Sequence, residues 1–405
     1  MIHGLCKIII LIITNCEYLS LESWSDWSIG NTACRLSTTP SIRVRKITKL
    51  GDSWNEPKQP LMTPLPTAQP SELGQKTGIQ GLRGLAATLV LLFHLHCMSA
   101  KAGFIELSSS PWLENLGIYS VLLFFCISGY LIVGTLTRHR DLRRFALNRV
   151  LRIYPVFLIL HLIMFGLGPW MNYEWMGSLR DSTAAYVGHF FSNLLFLPGL
   201  TQLPIAQKNA WSLSYEAAFY IMTAGLAFAG RSWSLPVPLK LAGLFLVCLA
   251  AYLNDEYFVF FMLGALVFWL EQKGRLPRLE IPALGILSGI AGLYLFSLGK
   301  TWGALPAVLL FFIEVVRQRG WLAHLLSSRG CLWLGQISFS LYLVHPFILD
   351  PWRRLLIKIS TGWPEGLSNL VFCCFGAFLA VAGAAISYEM IEVKLTRFLK
   401  KHIRD

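Results

Sequence analysis

Eleven apolar stretches follow one another along this chain, near residues 79–98, 114–136, 149–170, 185–199, 211–229, 239–253, 256–270, 281–298, 302–316, 332–350 and 366–390. Short polar segments separate them. A bilayer core is about 30 Å thick, and an α-helix crosses it in roughly 20 residues. Lipid offers no partner to backbone N–H and C=O groups, so segments that cross it close their hydrogen bonds internally, as helices. Composition agrees, because 55% of the 405 residues are hydrophobic and 14% charged, against soluble averages of about 45–50% and 25%. The expected fold is an all-α polytopic membrane protein.

The net charge of +13 raises the possibility of a nucleic-acid partner. The Lys and Arg, however, gather in short loops beside apolar stretches, where they set membrane orientation, so no nucleic acid is expected. Segments 138–152, 273–278, 317–320 and 394–404 are the basic ones and are expected in the cytoplasm. Even numbers of crossings must separate them. Five apolar stretches lie between the first and second, so one of the five does not cross. The poorest is 185–199, with His189, Asn193, Pro198 and Gly199, and it is assigned to a surface or re-entrant segment. What remains is a bundle of about ten transmembrane helices, multi-pass in the inner or plasma membrane, with both termini cytoplasmic.

Residues 1–78 do not match this pattern. Their first apolar run, KIIILIITNC, is too short to span, and Pro57, Pro60, Pro64, Pro66 and Pro70 mark Lys49 to Gly78 as disordered linker. The expected division is an N-terminal extension over 1–78, disordered or the product of an overextended translation start, a transmembrane domain over 79–392, and a basic cytoplasmic tail over 393–405. No internal repeat of the transporter kind is visible. The nine cysteines show no metal-ligand spacing, so they read as small buried hydrophobes, and no metal site is expected.

Against this apolar background the polar residues stand out. Arg83 and His94 are eleven positions apart, which returns to nearly the same helix face about 16 Å further along. If Arg83 sits at the cytoplasmic surface, His94 lies near the midplane, where a polar group is costly and by default a functional candidate. His96 points elsewhere. Arg144, Arg149 and Arg152 belong to a basic cluster at the start of the third stretch. Orientation explains its outer members, but Arg149 and Arg152 share a face and suit bidentate capture of phosphate. Glu216 lies about a turn and a half into an apolar helix, where it needs a partner, either a structural arginine or a substrate. By the parity of crossings it should lie beyond His94, toward the outer surface. Ser338, Tyr342 and His345 form a polar stripe at spacings of four and three. Interhelical hydrogen bonding is the simpler account of Ser338 and Tyr342, whereas His345 is open to either reading. Ser128 stands beside Gly129, a pair suited to close helix packing. No nucleophile elbow, P-loop or zinc-protease motif occurs.

Taken in order, RGLAATLVLLFH, LLFFCISGYLI, FALNRVLRIYP, WSLSYEAAFY and LGQISFSLYLVHP resemble the motifs of the membrane-bound acyltransferase 3 family, whose members O-acylate sugars and other hydroxyl compounds. The resemblance extends over almost all of residues 79–400. It implies a cytoplasmic acyl-CoA donor, acetyl-CoA above all, acting as co-substrate with no permanently bound cofactor, and a hydroxyl of a carbohydrate or glycan as acceptor. It implies His94, Arg83 and Glu216 as catalytic residues and Arg144, Arg149 and Arg152 as donor-binding residues. Ser128, Tyr154, Trp211, Ser338, Tyr342 and His345 would be substrate-binding or supporting. The sequence departs from some members in its N-terminal extension and in lacking a C-terminal esterase-like domain, so the bundle is expected to act alone or with a separate partner protein. The rival reading is a transporter whose buried His, Glu and Arg line a proton or solute path.

Overall fold

The computed structural model of the protein describes residues 77–106, 111–138, 141–168, 182–232, 256–277 and 280–404. Among them the regular structure is helical, apart from an isolated bridge between Pro198 and Thr201. The helices are α1 (Thr77–Lys101), α2 (Pro111–Arg138), α3 (Leu142–Leu167), α4 (Thr183–Leu194), α5 (Trp211–Ser232), α6 (Phe258–Gln272), α7 (Leu284–Ser297), α8 (Thr301–Arg317), α9 (Gly320–Leu326), α10 (Arg329–Ile359), α11 (Glu365–Ser387) and α12 (Thr396–Arg404). A π-helical stretch, Tyr388–Leu395, joins α11 to α12. Ten of the eleven apolar stretches fall in these helices, and the remaining one, 239–253, lies outside the described residues. The extension does too, save for the two residues that open α1.

Five helices are long and apolar enough to cross a membrane: α1, Asn115–Thr137 within α2, α3, α10, and the continuous rod Glu365–Ile403. A sixth span results if α8 and α9, bent by 65°, count together, and α6 and α7 are shorter apolar helices. The outward faces are apolar as well, with Leu162, Ile221, Ile290, Phe378 and Ile386 all exposed. A helix that is apolar all round belongs in lipid or a large core. The 185–199 stretch forms only the 12-residue α4, about 18 Å long. A turn follows in which Phe196 and Gly199 take positive φ and the Ser214 hydroxyl donates to the Pro198 carbonyl.

Small residues let the site-bearing helices approach one another. A Cβ on Gly129 would overlap the Phe261 carbonyl, and one on Gly264 would overlap that of Cys126, so α2 and α6 touch backbone to backbone. Gly84 and Gly335 do the same for α1 and α10. Where apolar burial gives no advantage over lipid, such close packing is what drives association. Aromatic rings fill the space beyond, with Phe261 stacked between Phe125 at 4.3 Å and Phe219 at 4.5 Å. That stack fixes α5 against α2 and α6.

Candidate active site

Arg149 and Arg152 project from the first turns of α3, which Asp141 caps by accepting the Arg144 backbone N–H at 3.0 Å. They share a helix face and line one cavity together with Arg83 of α1, Ser128 of α2, Glu216 and Tyr220 of α5, and Ser338 and Tyr342 of α10. The Glu216 carboxylate accepts from the Ser128 hydroxyl at 3.1 Å and from the Tyr220 hydroxyl, both on Oε1. The guanidinium of Arg149 lies 5.7 Å from the centres of both the Phe145 and Tyr220 rings, and its Nε is buried without a hydrogen-bond partner. Arg83 makes one long contact, 3.5 Å to the side-chain oxygen of Gln80.

The charges are unevenly matched. Among the described residues no direct ion pair includes Arg83, Arg149 or Arg152. Arg83 feels Arg152, Glu392 and Glu216 through space. Charged groups inside proteins are ordinarily paired, because an unpaired one loses solvation with nothing in return. Three guanidinium groups converging on one cavity therefore make a site suited to a polyanion, and phosphate fits their forks bidentately.

The histidines lie beyond the cavity wall. His94 and His345 meet edge to face, ring centres 4.8 Å apart. His94 Nδ1 is 3.0 Å from the Val90 carbonyl, an arrangement that suits Nδ1–H as donor and leaves a lone pair on Nε2. His345 Nδ1 is 2.7 Å from the Leu341 carbonyl and its Nε2 is 3.3 Å from the Asn209 amide nitrogen. Asn209 also donates to the Tyr342 carbonyl at 2.8 Å, while the Tyr342 hydroxyl stands 2.8 Å from both the Asn209 carbonyl and the Ser212 hydroxyl. A continuous polar network thus runs from the cavity wall at Ser212 and Tyr342 to the histidine pair. The exposed Lys208 lies within electrostatic reach of His94.

The stripe predicted on α10 is present and bridges both parts of the site: Ser338 and Tyr342 line the cavity and His345 meets His94. Ser338 itself bonds back to the Gly335 carbonyl at 2.9 Å. Glu216 is not beyond His94. It shares the cavity of the arginines, because α5 starts at the level of the histidine pair and runs from there toward Arg149. Trp211 packs on Phe125, Tyr215 and Tyr257 as a buttress outside the lining. The Tyr154 hydroxyl donates to the Leu194 carbonyl at 3.1 Å and ties α3 to the C-terminal end of α4. Arg144 is exposed and does not line the cavity.

Asn209, Ser212, Tyr220 and Glu392 were not singled out from sequence. Ser212 and Tyr220 lie inside WSLSYEAAFY, so the motif held a signal for them. Asn209 precedes α5 on a single 3₁₀ turn, Lys208–Ala210, where no periodic pattern marks it.

A sequence model of the acyltransferase 3 family, described as an acyltransferase domain, matches residues 76–389. The chain is 26% identical over 314 residues to the exopolysaccharide production protein ExoZ of Rhizobium meliloti, covering 70% of this chain and 90% of that one. It is 28% identical over 167 residues to the peptidoglycan O-acetyltransferase OatA of Listeria monocytogenes, covering 38% of this chain and 24% of that one. No solved structure matches it.

Proposed function

The chain belongs to the acyltransferase 3 family, and on that premise we propose that it moves an acyl group, acetyl in the simplest case, from cytoplasmic acyl-CoA to a hydroxyl of an envelope glycan. The observation that carries this reading is the trio Arg83, Arg149 and Arg152, turned onto one cavity with no ion pair among the described residues, while the wall of that cavity at Ser212 and Tyr342 is joined to a histidine pair by a hydrogen-bonded network. Nucleotide phosphates of the donor bind the arginines. Its slender pantetheine arm then carries the thioester along the cavity toward His94.

Two routes fit the histidine. His94 Nε2 takes the proton of the acceptor hydroxyl as that oxygen attacks the thioester carbonyl, the C–S bond breaks, and the CoA thiolate leaves. Alternatively, Nε2 attacks the thioester carbonyl first, the C–S bond breaks and the CoA thiolate leaves; the acceptor oxygen then attacks the acyl-imidazole, the N–acyl bond breaks, and the hydroxyl proton passes to the freed Nε2. Imidazole serves in either role because its ordinary pKa lies near neutrality. His345, fixed by Leu341 and Asn209, keeps the His94 ring in place. Glu216 hydrogen-bonds Ser128 and Tyr220 and supplies a carboxylate to the arginine-lined cavity. The reading includes ten crossings, cytoplasmic termini and an acceptor that arrives from the Lys208 side. A glycan is the acceptor class favoured by the names of the two relatives, one tied to exopolysaccharide and one to peptidoglycan.

Purified full-length protein in lipid nanodiscs, given acetyl-CoA labelled in the acetyl group and a panel of envelope glycans, should label a glycan. His94→Ala should abolish that labelling while remaining monodisperse and thermally stable, and His96→Ala should be far milder. Near-normal turnover by His94→Ala would sink the mechanism.

A further inference from the structure

The last long helix does not stop where the family match does. After Ser387 it winds into the π-helical stretch Tyr388–Leu395, which closes with the Thr396 N–H on the Ile391 carbonyl. π segments are rare and gather at functional sites, where they place a side chain that regular winding would misdirect. Here the side chain is Glu392. Its Oε1 accepts from the Ser340 hydroxyl at 2.6 Å and from the Ser340 backbone N–H at 3.1 Å, and Ser340 is fully buried next to the cavity-lining Phe339. Four residues on, the Thr396 hydroxyl donates to the carbonyl of Leu151 at 3.4 Å, the residue before Arg152. The segment is therefore pinned to α10 on one side and to α3 on the other. Between these two pins the Glu392 carboxylate lies within electrostatic reach of both Arg152 and Arg83, without a direct ion pair to either.

We propose that Glu392 is a positioning residue that keeps the Arg83 and Arg152 guanidinium groups converged on the cavity, an inference that rests on the donor-binding reading above. Arg83 and Arg152 are like charges close enough to repel one another, and repulsion of this kind is strong where water is excluded. A carboxylate within reach of both offsets it. Because one oxygen is held by two Ser340 donors, Glu392 stays fixed and does not swing across to close an ion pair, which leaves the guanidinium forks directed at the donor. Residues 390–396, beyond the family match, thereby complete the donor site.

Glu392→Gln isolates the charge, since the amide oxygen still accepts from Ser340 and the packing is unchanged. In nanodiscs with acetyl-CoA as the varied substrate, it should raise the donor KM on the order of tenfold, the effect of losing one charge-assisted interaction. Acceptor KM and kcat at saturating donor should stay within about twofold. A purely structural role would instead lower thermal stability without separating donor from acceptor KM. In an Arg152→Gln background the same change should add little, because its charge partner is already gone. If Glu392→Gln fails to fold, Ser340→Ala should shift donor KM in the same direction by less. Donor KM unchanged or lowered by Glu392→Gln, or fully additive effects with Arg152→Gln, would overturn the proposal. If Arg152→Ala raises donor KM and Glu392→Gln does not, only this inference fails; if Arg152→Ala also leaves it unchanged, the donor reading falls with it.

Discussion

A spacing of three residues carried more information about Arg149 and Arg152 than their charge did. Orientation in the membrane needs positive residues near a helix end but is indifferent to which face they occupy. A shared face is what brings both onto the cavity. Lysine in their place would keep the charge and lose the planar fork, so Arg152→Lys should weaken acyl-CoA binding several-fold and Arg152→Ala more, with Arg149 behaving alike. Titration of the detergent-solubilised protein with CoA would show this, and unchanged binding in both alanine variants would return the pair to orientation alone. Legibility in sequence followed the same logic. Residues that repeat along one helix, such as Ser338, Tyr342 and His345, could be read as a group because helix geometry fixes their relation. Asn209 touches His345, 136 residues away, and that relation belongs to the packing of helices, which no local pattern encodes. The depth expected for Glu216 fails for a related reason: helix rise and crossing parity put His94 at the midplane and Glu216 beyond it, whereas Asn209, which precedes Glu216 in the chain, already stands beside the histidine pair.

Elements were more legible than contacts. Apolar length named almost every helix, since lipid leaves helical closure as the one economical answer for such a segment. Sequence could not show which helices touch, yet the small residues hold that information in retrospect. Gly129 and Gly264 each meet a backbone carbonyl of the other helix, and a carbonyl cannot turn aside as a flexible side chain can. Gly129→Ala should therefore destabilise the bundle by about 1–3 kcal/mol, seen as a lower thermal midpoint in detergent, and should displace Ser128 from Glu216. Gly225 of α5 supplies the control: among the described residues a Cβ there meets nothing within 4 Å, so Gly225→Ala should be neutral or slightly stabilising through helix propensity. Equal losses from the two substitutions would mean that α2 and α6 are not held by this close approach. The π-helical stretch shows the opposite limit of legibility. Nothing in YEMIEVKL distinguishes π from α winding, and the partners that hold the segment, Ser340 for Glu392 and Leu151 for the adjoining Thr396, lie on other helices.

At the scale of the whole molecule the site runs along the bundle, with arginines toward one end and the histidine pair toward the other. Such polarity has a function only if the ends face different compartments. In the orientation proposed above the basic segments put the arginine end at the cytoplasm, and that orientation would carry Lys208 to the opposite side, because Asn209 beside it contacts His345. Lys273, in the turn after α6, lies in one of the basic segments and should face the cytoplasm. Both lysines are exposed, so each is a fair position for a single cysteine in a background with the native cysteines removed. A membrane-impermeant maleimide added to intact cells should label Lys208→Cys and spare Lys273→Cys until the membrane is broken. The short α4 makes this a real test of the crossing count: if α4 and its following turn did span, the number of crossings before Lys208 would change by one and both the loop and the start of α5 would move to the cytoplasm. Labelling of Lys273→Cys from outside with protection of Lys208→Cys would overturn the crossing count and, because Lys208 and the arginines lie at opposite ends of the site, bring the histidine pair to the donor side. In that case the arginine cluster would face the outer surface, out of reach of cytoplasmic CoA, and the acyl donor would have to be sought among anionic thioesters or lipids of the opposite leaflet.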